Sequence, residues 1–250
     1  MSTPLASYSF LSWVRQGLGI HTQDAPAGSI RGKIPVSVLL RGDKIGGGQL
    51  TETFQRDVAL YGPGDVIGIE SRAIVRSEPR ASIMNFEPNY LPFVEFYDED
   101  FLWRYTPAAA SPDGKRLIPW LTLVVLEEGE FEGPQILPSQ PLPFIKVNNA
   151  AALFPPADQL WAWAHVHVDR SLQGIGLSDR TALAQFLGQT VASNRDLAYA
   201  RLLCPRSLLP SRRYSGFVIP TFESGRRAGL NLDPAGATST CRRLAAESGA

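Results

Sequence analysis

Along the chain, hydrophobic and polar positions change period several times, and each change predicts an element. Residues 9–18 place apolar side chains at Phe10, Leu11, Val14 and Leu18, close to the spacing of one face of an amphipathic helix. Gly17 and Gly19 end it, and the Asp24–Gly28 stretch reads as a loop. From Ile30 the period becomes two. Ile34, Val36, Val38 and Leu40 alternate, Gly46-Gly47-Gly48 makes a turn, and Phe54, Val58 and Leu60 share one face of a second strand, opposite Thr53, Gln55 and Asp57. The 66–75 stretch is expected to continue this sheet. Leu121, Leu123 and Val125 alternate again after a turn at Ser111-Pro112-Asp113-Gly114. A strand is predicted over 159–168, with Trp161, Trp163, His165 and His167 on one face. A single substantial helix is predicted near 179–192, with Ser178 as its N-cap and Leu183, Phe186, Leu187 and Val191 as its apolar stripe. Residues 202–205 and 214–220 read as further strands. Gly133 to Pro143 reads as a crossing loop.

These elements describe a mainly β, antiparallel, sandwich-like domain with one main helix. The expected organisation is an N-terminal arm over 1–29, a β-rich domain over 30–232, and a disordered tail over 233–250, whose small, polar and basic residues lack a core pattern. The densest block is Asn85 to Leu126. Pro88, Pro92, Pro107 and Pro119 belong at its strand starts, edges or corners, because proline cannot donate to a sheet ladder.

Composition narrows the function classes. A formal net charge of zero offers no electrostatic case for nucleic acid or an anionic membrane as partner. The charge is unevenly spread, because from Arg195 onward nine arginines face four acids. Only Lys33, Lys44, Lys115 and Lys146 are lysines, and a surplus of arginine is compatible with protein interfaces. Cys204 and Cys241 form no disulfide framework, which fits a reducing compartment. No apolar run is long enough to span a membrane. The expected location is the cytoplasm.

The candidate chemistry is sparse. His165 and His167 alternate on one predicted strand and are the best metal candidates, but a zinc site needs more ligands than they supply. Glu87, Glu95, Asp98, Glu99 and Asp100 cluster where paired carboxylates could support glycoside hydrolysis or bind calcium. Trp103, Trp120, Trp161 and Trp163 suit a sugar platform, a core or interface anchors. Motifs for nucleophilic hydrolysis, nucleotide binding and zinc proteolysis are missing. This reading assigns no catalytic residue, metal or cofactor, and leaves a carbohydrate-binding or glycoside-hydrolase-like domain built on Glu87, Glu95 and Asp98 as the alternative.

Several phrases form a recognisable set: Phe10-Leu11-Ser12-Trp13-Val14-Arg15-Gln16-Gly17, Leu60-Tyr61-Gly62-Pro63-Gly64-Asp65-Val66, Phe86-Glu87-Pro88-Asn89-Tyr90-Leu91-Pro92, Trp161-Ala162-Trp163-Ala164-His165-Val166, Cys204-Pro205-Arg206 and Val218-Ile219-Pro220-Thr221-Phe222-Glu223. In this order they resemble the amino-terminal part of a bacterial protein family associated with phage-tail-like extracellular contractile injection systems. The resemblance runs from about residue 8 to residue 230. It implies a non-enzymatic structural or accessory part of an oligomeric particle, with baseplate, tube, sheath or cap proteins as partners. It also implies a particle that is assembled in the cytoplasm and can be released. Family members continue beyond the Gly225–Gly229 region, so a shortened or minimal member is expected. Phe10, Trp13, Val14, Tyr90, Phe101 and Trp103 are the residues expected at interfaces.

Overall fold

The computed structural model describes residues 31–107, 116–169, 171, 174–176 and 179–236. Among the described residues the fold is strand-rich, at 34% strand against 24% helix with 3-10 turns included, and every strand pair is antiparallel. In chain order the strands begin with β1 (Lys33–Asp43), β2 (Gln49–Ala59), β3 (Ile74–Glu78), β4 (Phe93–Phe96), β5 (Leu121–Glu127), β6 (Phe131–Gln135) and β7 (Phe144–Val147). A one-turn helix α1 (Ala150–Leu153), strand β8 (Ala164–Val168) and the main helix α2 (Arg180–Ser193) follow. Strands β9 (Ala198–Leu203) and β10 (Tyr214–Pro220) and the short helix α3 (Glu223–Gly229) complete the fold.

The strands form a four-stranded sheet, β3-β4-β9-β8, and three two-stranded ribbons, β5-β10, β6-β7 and β1-β2. Strand β5 lies at the centre of the packing. Its odd residues, Leu121, Leu123 and Val125, face a core shared with Val94, Phe96, Ala200 and Leu202 of the four-stranded sheet and with Leu102, Trp103 and Trp120. Its even residues Val124 and Leu126 face a second cluster with Phe154, and Phe131 and Phe217 pack edge to face there with ring centroids 5.0 Å apart. A strand apolar on both faces is buried on both faces. Threonine 122 remains at an even position because its hydroxyl pairs with that of Thr221 at 2.8 Å, satisfying two buried polar groups together.

Several expectations shift in register or type. Helix α2 begins one residue later than Ser178 predicts. Asp179 is the cap, its carboxylate accepting from the Ala182 N–H at 3.0 Å; Ser178 lies outside the described residues. Leu183 and Leu187 are buried as the stripe predicts, joined by Thr190, whose hydroxyl donates to the Phe186 carbonyl. The strand expected over 159–168 begins only at Ala164. Pro156 opens a 3-10 helix over Ala157–Trp163, so Trp161 and Trp163 do not share a strand face with the histidines. Within 66–75, only Ile74 and Val75 are strand, because a 3-10 turn at Ser71–Ala73 intervenes. The crossing loop begins later than Gly133, since β6 runs on to Gln135 with an irregularity in its pairing.

The turn at Ser111–Gly114 and the amphipathic segment of the arm, with Phe10, Trp13 and Val14, lie outside the described residues, as does the tail from 237 onward. Residues 233–236, assigned to that tail, pack against the fold. Arg227 donates to the Asp233 carbonyl at 2.6 Å, and Pro234 lies so close to Gly64 that a Cβ there would meet it at 2.8 Å.

Candidate functional site

Two surface features carry enough chemistry or exposure to act. The first follows from strand pairing, because directly opposed residues of an antiparallel sheet share a face. Arg76 pairs with Glu95, Glu95 with Arg201, and Arg201 with His165, so four polar side chains form one row across all four strands. His167 and Tyr199 form the neighbouring row. The opposite face of the same strands is the apolar core.

Glu95 is only 3% exposed and sits between the two arginines. Arg76 Nε donates to one carboxylate oxygen at 2.5 Å, and Arg201 binds the other through Nε at 2.8 Å and also through Nη2. Both guanidinium groups lie over the Phe93 ring, at 5.4 and 4.4 Å from its centroid. Burial opposes the charge of Glu95, but hydrogen bonds from Arg76 and Arg201, backed by their charges, hold its pKa below the ordinary carboxylate value. A carboxylate held ionised cannot serve as a general acid near neutrality.

Glu87, Asp98 and Asp100 of the expected acidic site are also engaged. Glu87 accepts from the Asn89 side-chain amide at 2.7 Å, and Asp98 and Asp100 both bind Arg104, at 2.8 and 2.6 Å. Both central tryptophans are core: Trp103 is fully buried and Trp120 is 3% exposed. Their indole N–H groups donate to the Leu117 and Phe101 carbonyls. This corrects the expected contact role of Phe101 and Trp103, since both are buried in the core, Phe101 at 8% exposure and Trp103 at 0%. Phe101 stacks on Phe96 at 4.7 Å. Their apolar segment is drawn inward because the 3-10 turn Phe101–Trp103 lies over the four-stranded sheet and buries all three of its residues. Tyr90 is 67% exposed and stays available for contact.

His165 turns Nε2 to the Ala162 carbonyl at 2.6 Å. Among the described residues, no group of three or more His, Cys, Asp or Glu side chains is arranged to hold a metal ion. Burial lowers the pKa of both His165 and His167, and the nearby Arg201 charge lowers it further. Depressed folded-state values mean that the unfolded chain binds more protons below its own histidine pKa of about 6.5. Stability is therefore present above that pH and is lost as pH falls from it toward the folded-state values. The melting temperature is expected to be lower at pH 5.5 than at pH 7.5, with a smaller difference in His167→Gln. An unchanged pH slope in that variant would remove His167 from the account.

The second feature is the β1-β2 hairpin. Its strands pair over 11 residues each, from Lys33 opposite Ala59 to Asp43 opposite Gln49. Past Ile34 almost every residue is exposed, and no other described strand pairs with it. One face carries Val36, Val38, Leu40, Leu50, Phe54 and Val58, each between 40% and 55% exposed. The other face is mostly polar. The alternation of β1 was a sufficient signal for the strand, but its detachment from the core had a subtler one. Glu52 and Arg56 flank Phe54 on the apolar face, and two charges there do not suit a strand packed on a hydrophobic core.

Comparison with protein-family models, with curated proteins and with solved structures finds no match to this chain. Among the described residues, no helix is long and apolar enough to cross a membrane.

Proposed function

We propose that this chain is a non-enzymatic structural or accessory component of a phage-tail-like contractile injection particle, acting through protein–protein interfaces. The observation that carries the reading is the β1-β2 hairpin. A two-stranded ribbon is marginal by itself in water, and a contiguous exposed apolar face of this kind marks an interaction surface. The phrase set between residues 8 and 230 supplies the particle type, and baseplate, tube, sheath or cap proteins are the expected neighbours. Exposed Tyr90 adds a second contact candidate, and the arm residues Phe10, Trp13 and Val14 remain candidates from their amphipathic spacing.

The test is a tagged pull-down from a bacterium that encodes the protein, imaged by negative-stain electron microscopy. Sheathed tubular particles should co-purify with the wild type and be depleted when Val38→Asp and Leu40→Asp are introduced together. Recovery of the tagged chain with no tail-like proteins would overturn the reading.

A further inference from the structure

We propose that β2 pairs edge to edge and antiparallel with β2 of a second copy of this chain, about a two-fold axis through Phe54. This rests on the assembly reading only in treating the hairpin as a docking element.

The backbone decides which edge is open. The Lys44 N–H donates to the Gly48 carbonyl, and the Leu60 N–H donates to the Gly32 carbonyl, both at 2.9 Å. Hydrogen-bonded and non-bonded pairs alternate along an antiparallel ladder. In the hairpin's register, even-numbered residues therefore bond across it and odd-numbered residues turn their N–H and C=O groups outward. On β1 the outward set includes Pro35, which has no N–H to offer, so that edge is blunted. On β2 every outward position from Gln49 to Ala59 keeps its donor. A long strand with an unblocked edge is a template for another strand.

The sequence of β2 is complementary to itself when read outward from Phe54. In this order, Thr53 matches Gln55, Glu52 matches Arg56, Thr51 matches Asp57, and Leu50 matches Val58. An antiparallel pairing centred on Phe54 sets each Glu52 opposite Arg56 of the second copy. It also sets odd residues against odd residues, so outward donors meet outward acceptors. Phe54 then faces its own counterpart in a non-bonded pair, where side chains approach most closely. Neighbouring registers fit less well. Centring on Glu52 or Arg56 opposes like charges, and centring on Thr53 or Gln55 sets both charges against apolar side chains. The product is a continuous four-stranded sheet, large enough to be stable where a lone ribbon is marginal, and the interface is isologous, as two-fold symmetry requires.

The test uses the full chain with Cys241→Ser, since Cys204 is buried and cannot cross-link. Phe54→Cys should give a disulfide-linked dimer on mild oxidation. Val38→Cys, directly across the hairpin on the same face but one strand further from the two-fold axis, should form no disulfide-linked dimer. In sedimentation equilibrium, Glu52→Arg and Arg56→Glu should each weaken the dimer about tenfold, because symmetry makes each change act twice. The double charge swap should restore it to within about twofold, which a folding defect would not do. A wild type that is monomeric at all concentrations, equal cross-linking by Val38→Cys, or a dimer indifferent to both charge changes would each overturn the proposal. So would loss of the dimer on deleting residues 1–29 with the hairpin intact, which would make the arm the occupant. A monomer that still co-purifies with tail-like proteins would overturn the pairing and leave the assembly reading standing. A dimer that co-purifies with none would do the reverse.

Discussion

Trp103→Ala is expected to lower the free energy of unfolding by about 4 kcal/mol, read from the shift of a urea denaturation midpoint at constant slope. The side chain is fully buried in the main core, beside Leu102 and Trp120, so truncation leaves a large cavity among groups that cannot all close in. It also leaves the Leu117 carbonyl without its indole donor, bound at 3.2 Å. Such a loss is a large fraction of the 5–15 kcal/mol typical of a folded domain. Trp103→Phe should recover most of the packing but not the hydrogen bond, and should cost about half as much. If Trp103 were a surface contact, alanine would leave the denaturation midpoint almost unmoved and weaken an association instead.

Glu95→Gln is expected to cost about 3 kcal/mol, because the substitution removes a charge and leaves its partners in place. The Arg201 side chain is 14% exposed and cannot easily turn to water, whereas Arg76, at 48%, can. Arg76→Met should therefore cost less than Glu95→Gln, and the order of the two effects is itself a check. The sign of the pH dependence follows from the depressed pKa of Glu95. Its contribution is fully present above the unfolded carboxylate value of about 4.3 and is lost as pH falls through the lower folded value. Wild type and Glu95→Gln should therefore converge in stability in acid. A constant gap between them down to pH 2 would show that the loss comes from shape rather than charge.

Much of the strand architecture was legible because it depends on local alternation. Leu121, Leu123 and Val125 announce one face of β5, and Ile34 to Leu40 announce β1. The deeper role of β5 was harder to read, because Val124 and Leu126 look like the outward half of an ordinary strand until a second cluster closes over them. Long-range pairing was not legible at all. Glu95 and Arg201 are 106 residues apart, and only strand order makes them neighbours. The same holds for Phe101 and Trp103. Their aromatic character fits a core or an interface, and the chain's return over the four-stranded sheet decides for the core. His165 and Trp163 part company because Pro156 starts a 3-10 helix, a local effect that overrides an apparent period of two.

The hairpin separates two demands that most proteins must meet with the same residues. Beyond Ile34, its side chains belong to neither hydrophobic cluster. Drift in partner choice can accordingly be written into positions such as Glu52, Phe54 and Arg56 with little consequence for the fold, while the strands around β5 stay under constraint from packing alone. Across lineages, the hairpin would then be the fast-changing part of the molecule and would evolve in step with whatever it touches.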